Sequence, residues 1–168
     1  MRGEYAAAKI LTTLFSKQDN DLYNPKYSDY QMKLGYVEGT GLDQIWAVRE
    51  KSGDVKKYVL VEAKGSRDAE LGWPSVGQQM SAAWVISALM KLAEKGNRIS
   101  NTAKKILDEI FKEDGKGKPV AGLIIQAAFS PENKGGTNNT VVVRRLSNYN
   151  MDAETAQRAR ETHENAFG

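Results

Sequence analysis

The sequence has no cysteine, only one histidine and only four prolines in 168 residues. Without cysteine the chain has no disulfide framework, no zinc–thiolate site and no thiol nucleophile. Any metal site must therefore use oxygen ligands or His163. That histidine lies beside Glu164 in a polar C-terminal segment, where a solvent-exposed helix face explains it better than metal or acid–base chemistry. A cysteine-free chain suits a reducing compartment.

Long apolar runs are missing as well. No stretch approaches the ~20 apolar residues that a membrane-spanning helix needs, and the N-terminus lacks the apolar core of a signal peptide. We therefore expect a domain without membrane association. Because the chain begins abruptly in a helical pattern, we also expect a single domain, residues 1–168, excised from the C-terminus of a longer protein.

The composition is that of an ordinary folded domain, with 40% hydrophobic and 27% charged residues. The net charge of +3 is weak support for a polyanionic partner, because many unrelated proteins carry as much. Apolar periodicity predicts the order helix, strands, helices, strands, helix, which favours an α/β fold with a central mixed sheet flanked by helices. The predicted helices are 4–16, 75–94, 100–112 and 152–165, the predicted strands are 42–48, 58–64, 120–129 and 140–146, and 17–29 is predicted as loop.

One acidic-x-lysine pattern stands out among the four in the chain. Glu62 and Lys64 end an apolar strand, whereas the other three copies lie in polar or glycine-rich turns. Residues two apart on a strand leave the same face. A hairpin-length connection precedes this strand, so Asp43 on the previous strand can lie beside the pair. An exposed cross-strand charge pair is the alternative interpretation.

Two carboxylates and one ammonium at one sheet edge suit phosphodiester hydrolysis. Such a reaction needs a divalent cation held by carboxylates, together with a positioned water. Asp43 and Glu62 would bind Mg²⁺ or Mn²⁺, with Zn²⁺ as a further candidate. Lys64 would orient the attacking water or neutralise charge that develops on the phosphate.

Three motifs in this order carry a family resemblance: residues 41–46 (GLDQIW), 61–65 (VEAKG) and 79–85 (QMSAAWV). Together they resemble the PD-(D/E)XK nuclease domains of bacterial polymorphic toxins. These are the C-terminal toxin domains of contact-dependent inhibition, Rhs and type VI secretion proteins. The resemblance covers roughly residues 39–85 and implies a restriction-endonuclease-like core.

The resemblance also implies roles for individual residues. Asp43 and Glu62 would be metal ligands, Lys64 the catalytic lysine, and Glu4 the first-helix glutamate that completes the metal site. A first-turn acid that complements the helix dipole is the alternative for Glu4. Gln79 would be a supporting polar residue of the site, or would merely bond a neighbouring backbone group.

Several assignments stay open at this level. Gln78 precedes Gln79, and a one-residue step is about 100° around a helix, so only one of the two can face the site well. Trp46 and Trp84 are interpreted as core residues. Four basic residues are candidate phosphate contacts. Protection of an edge strand would explain the two arginines equally, and a solvated helix face is the usual explanation for the two lysines. The four residues are Arg144, Arg145, Lys104 and Lys105.

The sequence thus predicts a metal-dependent endonuclease that acts on nucleic acid, with DNA favoured and RNA, notably tRNA, as the alternative. By resemblance it would be an interbacterial toxin, active in the target-cell cytoplasm and neutralised by a cognate immunity protein. A non-catalytic nucleic-acid-binding module is a second hypothesis. A structural domain in which Glu62 and Lys64 merely pair is a third.

Overall fold

The structure is a computed structural model. It describes residues 7, 10, 11, 22–23, 42–50, 52–64, 70–72, 74–96, 98–112, 116–128, 140–150, 154, 155, 157, 158 and 161. Glu4 and His163 lie outside these residues. The described residues of the first and last predicted helices are helical. None of the described helices is long and apolar enough to cross a membrane.

A mixed sheet forms the centre of the fold, with strands in the order β1-β2-β3-β4-β5. Strands β3 and β4 are parallel, and every other neighbouring pair is antiparallel. The α/β class and the mixed sheet are therefore confirmed, while the restriction-endonuclease-like core stays a prediction. The strands are β1 (Leu22–Tyr23), β2 (Gln44–Arg49), β3 (Val55–Lys64), β4 (Val120–Ala128) and β5 (Thr140–Asn148).

Strand β1 corrects one prediction, because it falls in the segment expected to be loop. Its two residues pair with Val48 and Ala47 of β2. A strand of two residues is too short to show the alternation of apolar and polar side chains by which strands are recognised in a sequence.

The β2–β3 hairpin matches its prediction. Its turn is closed by two backbone hydrogen bonds, from Gly53 N–H to the Glu50 carbonyl (2.8 Å) and from Glu50 N–H to the Asp54 carbonyl (2.9 Å). Gly53 has φ +88° at the tip, a conformation that costs glycine little. The hairpin fixes the register of Gln44 opposite Val61.

Two consecutive helices, α1 (Ala82–Glu94) and α2 (Arg98–Ile110), connect the parallel strands β3 and β4. Such a crossover is what parallel neighbours require. The predicted start of α1 at Ser75 is wrong by seven residues. Residues 75–81 form turns instead, because Gly77 (φ +110°) and Met80 (φ +65°) leave the helical region, and Ser81 then caps α1 by accepting from Trp84 N–H at 3.4 Å.

Alternation along β3 sends side chains into two separate apolar clusters. Leu60 faces α1 and packs with Ile45 and Leu89, all 0% exposed. Val61 faces the opposite side and packs with residues that include Leu11 of the N-terminal helical segment. Burying each such side chain contributes about 1.5–3 kcal/mol, so both faces hold the strand in register. Trp46 and Trp84 are 5% and 6% exposed, which confirms their interpretation as core residues.

The end of α2 is tied to the start of β4 by a polar cluster. Glu109 accepts hydrogen bonds from Lys118 N–H (2.7 Å) and from the Lys112 ammonium (3.0 Å). Asn150 donates to the backbone carbonyls of Glu109 (3.1 Å) and Lys118 (3.0 Å). Gly117 passes so close to α2 that a Cβ there would overlap the Glu109 carbonyl oxygen.

Candidate active site

Asp43 lies immediately before β2, at the end of the sheet where β3 finishes. Continuing the β2–β3 register by one residue places it opposite Glu62. Its N–H donates to the Val61 carbonyl (3.2 Å), and its Oδ2 accepts from Ala63 N–H (2.7 Å). The Asp43 carboxylate is therefore held at the N–H of Ala63, the residue between Glu62 and Lys64.

Glu62 and Lys64 extend from the α1-facing side of β3, as their spacing predicts. The Lys64 Nζ lies 2.7 Å from Glu62 Oε1. The Glu62 side chain is 5% exposed and that of Lys64 16% exposed, so the pair is largely shielded from solvent. A charge pair in such surroundings interacts more strongly than one on an open surface.

Gln79 joins this pair from the turn that precedes α1. Its Oε1 accepts from Lys64 Nζ at 2.9 Å and from Gly72 N–H at 2.8 Å. Its own N–H donates to the Gly72 carbonyl at 2.9 Å. Gln79 rather than Gln78 thus faces Lys64, and both interpretations of Gln79, site contact and backbone contact, apply together.

The donor set fits a hard divalent cation. Asp43, immediately before β2, and Glu62 on the neighbouring β3 supply carboxylate oxygens, the ligands that Mg²⁺ and Mn²⁺ prefer. No group of three or more acidic, histidine or cysteine residues suited to a metal is found among the residues that the structure describes. Two protein carboxylates, completed by water and substrate phosphate, are a usual arrangement for Mg²⁺. Zn²⁺ fits less well, since it favours nitrogen and sulfur ligands.

Arg144 and Arg145 lie on β5 and leave opposite faces of the sheet. Glu62 pairs with Ile124, and Ile124 pairs with Arg144, so Arg144 shares the row and the face of Glu62. Two strand spacings separate their backbones by about 10 Å. Arg145 belongs to the other face, where burial and then the charge of this arginine lower the pKa of Lys57. Both arginines are exposed.

Lys104 and Lys105 are exposed on α2. Neither makes a described contact with Glu62, Lys64 or Gln79. The end of α2 is bonded to Lys118, just before β4, and the first residue of β4 pairs with Tyr58, six residues before Lys64 on β3. The two lysines therefore belong to a helix that ends at the far end of the sheet from the carboxylates.

Two contacts of the site were not predicted. Gly72 contributes its backbone N–H, which no side-chain pattern reveals. Tyr149 donates its hydroxyl to the Met80 carbonyl at 2.8 Å, and it lies 69 residues away in sequence. Sequence alone offers no signal for that bond. It depends on the positive φ of Met80, which is uncommon for methionine and is therefore not expected from the sequence.

Comparison of the chain with protein-family models, with curated proteins and with solved structures finds no match. The case for a function therefore rests on the residues of the chain itself: the geometry around Lys64 and the three motifs that contribute to it.

Proposed function

We propose that this protein is a metal-dependent endonuclease that hydrolyses phosphodiester bonds in nucleic acid. Asp43 and Glu62 would hold the divalent cation, and Lys64 would act on the attacking water or the phosphate. The observation that carries the proposal is the shielded Glu62–Lys64 pair, with Nζ and Oε1 2.7 Å apart. The N–H of Ala63, between these two residues, binds the Asp43 carboxylate. A buried pair of this kind contributes little net stability compared with apolar residues, which favours a role in chemistry.

The cation, when bound, would polarise a phosphoryl oxygen and promote ionisation of a bound water. Lys64 has three N–H donors, of which one points to Glu62 and one to Gln79. The third has no partner among the described residues, and at 16% exposure the ammonium can reach a water or a phosphate oxygen. Gln79, bonded to both the N–H and the carbonyl of Gly72, restricts where that donor points.

The substrate would contact Arg144, which is exposed on β5 and lies on the same side of the sheet as Glu62, with the buried Ile124 between them. Arg144 would contact a phosphate beside the scissile bond, because guanidinium groups bind phosphate through two parallel hydrogen bonds. Such contacts position the chain without reading its sequence. DNA is the favoured substrate by analogy with the resembled nucleases, and tRNA is the alternative on the same fold.

The resemblance extends the proposal to biology. The domain would be an interbacterial toxin that acts in the cytoplasm of the target cell, and a cognate immunity protein would neutralise it in the producer. Expression of the wild type in bacteria without such a protein should then arrest growth, and Lys64→Met should remove the toxicity. Equal toxicity of the two would count against the proposal.

A structural role for the Glu62–Lys64 pair, or a binding role without catalysis, gives different results in a cleavage assay. Purified protein is incubated with supercoiled plasmid and, separately, with tRNA, in Mg²⁺, Mn²⁺ or EDTA. The chain supplies a matched control, because Asp54 and Lys56 repeat the acidic-x-lysine spacing at the exposed start of β3.

We expect cutting in Mg²⁺ or Mn²⁺, none in EDTA, and a loss of about 100-fold or more in Lys64→Met and Glu62→Gln. Asp54→Asn and Lys56→Met should cut like the wild type. Binding of both nucleic acids without scission under any of these conditions would refute the enzymatic proposal and support the binding module.

A further inference from the structure

We propose that Tyr149 is a positioning residue for Lys64 and acts on it through Met80 and Gln79. The proposal deepens the proposed function and rests on it only for the role of Lys64. The Tyr149 hydroxyl, directly after β5, restrains the strained turn at Met80. That turn positions the Gln79 side chain, which binds the Lys64 ammonium.

The strain is at Met80. Its φ of +65° lies in the left-handed region, and no other described residue apart from glycine has a positive φ. A residue with a Cβ adopts that conformation only when its surroundings impose it. Met80 is 3% exposed, so its side chain is anchored in the core. Gln79 precedes it and Ser81, the cap of α1, follows it.

Tyr149 supplies the restraint. Its hydroxyl donates to the Met80 carbonyl at 2.8 Å, and the residue is 6% exposed. Gly122 on β4 makes room for it, because a Cβ there would overlap the tyrosine hydroxyl. Burial raises the pKa of Tyr149, so the hydroxyl stays protonated and remains a donor throughout the working range of pH.

The effect reaches Lys64 through one side chain. Because Gln79 directly precedes Met80, a restraint on the Met80 carbonyl also restrains the backbone of Gln79. Gln79 Oε1 then bridges Lys64 Nζ (2.9 Å) and Gly72 N–H (2.8 Å). If the turn relaxed toward a negative φ at Met80, Gln79 Oε1 would no longer point at Lys64 Nζ. Among the described residues, the ammonium would then keep its bond to Glu62 alone.

The test compares Tyr149→Phe with Tyr58→Phe. Tyr58 is a matched control because it is also 6% exposed and packs in the same core cluster. Two quantities are measured: hydrogen exchange of the Gly72 amide by NMR, and kcat and KM for nucleic-acid cleavage.

In Tyr149→Phe we expect exchange at Gly72 to accelerate by about 10-fold or more. We expect kcat to fall by about 10-fold to 100-fold with KM nearly unchanged. Tyr58→Phe should change neither. Replacement of Tyr149 by 4-aminophenylalanine, which keeps a donor at the ring end, should restore both quantities.

A folded Tyr149→Phe with wild-type exchange at Gly72 would overturn the positioning role. The exchange result does not depend on cleavage, so an inactive wild type would refute the proposed function and leave this measurement decisive. The wild type gives a check that needs no variant. In an equal mixture of H2O and D2O, the ¹³Cζ signal of Tyr149 should split, since a buried, bonded hydroxyl exchanges slowly; one averaged line would refute the hydrogen bond.

Discussion

A double-mutant cycle on Glu62 and Lys64 measures how strongly the shielded pair is coupled. Lys64→Met keeps the apolar stem and removes the ammonium, while Glu62→Gln keeps the shape and removes the charge. Breaking a fully buried pair costs about 3–5 kcal/mol, and exposed pairs contribute about 0.2–1 kcal/mol. With side chains 5% and 16% exposed, this pair lies between those limits, and we expect a coupling of about 2 kcal/mol.

The assay is urea unfolding of the wild type, both single variants and the double variant, with stability taken from the midpoint at constant slope. The Glu109–Lys112 pair is the control, because Lys112 is 51% exposed and its coupling should be at most about 0.5 kcal/mol. Equal coupling in the two pairs would refute the reasoning, since it would mean that burial does not strengthen the Glu62–Lys64 interaction.

The remaining predictions concern the α2–β4 connection and the arginines of β5. Gly117→Ala should lower stability by about 2 kcal/mol or more in urea unfolding, because the new methyl would overlap the Glu109 carbonyl; a neutral result would refute the close approach. Burial acts to raise the pKa of Glu109, but the hydrogen bonds from Lys118 N–H and the Lys112 ammonium outweigh it, so the pKa lies below its usual 4.5. The wild type should therefore exceed Glu109→Gln in stability by about 1 kcal/mol at pH 7, with the gap lost as pH falls through the lowered pKa; a gap that stays constant down to pH 2 would contradict this. Arg144→Ala should weaken oligonucleotide binding by about 10-fold and reduce the slope of log affinity against log salt by about 1, with a smaller effect in Arg145→Ala; equal losses in a titration of both variants would refute the assignment of Arg144 to the site face.

Much of the sheet follows from the sequence because its signals are local. The apolar residues before Glu62 and the hairpin-length connection that precedes them predict β2 and β3 as neighbouring strands. Neighbouring strands are only about 4.8 Å apart, so this arrangement predicts that Asp43 can lie beside the Glu62–Lys64 pair. The register that brings its carboxylate to the Ala63 N–H is seen in the structure. The proximity of these three residues is therefore predicted from the sequence, whereas their individual contacts are known from the structure.

The turn before α1 could not be derived in this way. Residues 75–81 have a helical composition, yet Gly77 and Met80 adopt positive φ values there. The Met80 conformation depends on Tyr149, 69 residues away, and such tertiary restraints leave no local pattern. The choice between Gln78 and Gln79 could not be made from the sequence for the same reason, because it depends on the path of this turn.

The central claim is that Asp43 and Glu62 hold a divalent cation beside Lys64, and calorimetric titration with Mn²⁺ tests it most directly. If the claim is correct, the wild type and Asp54→Asn bind one Mn²⁺ per chain with the same affinity, while Asp43→Asn and Glu62→Gln lose binding by about 10-fold or more. Binding that is absent from the wild type, or unchanged in both site variants, would contradict it.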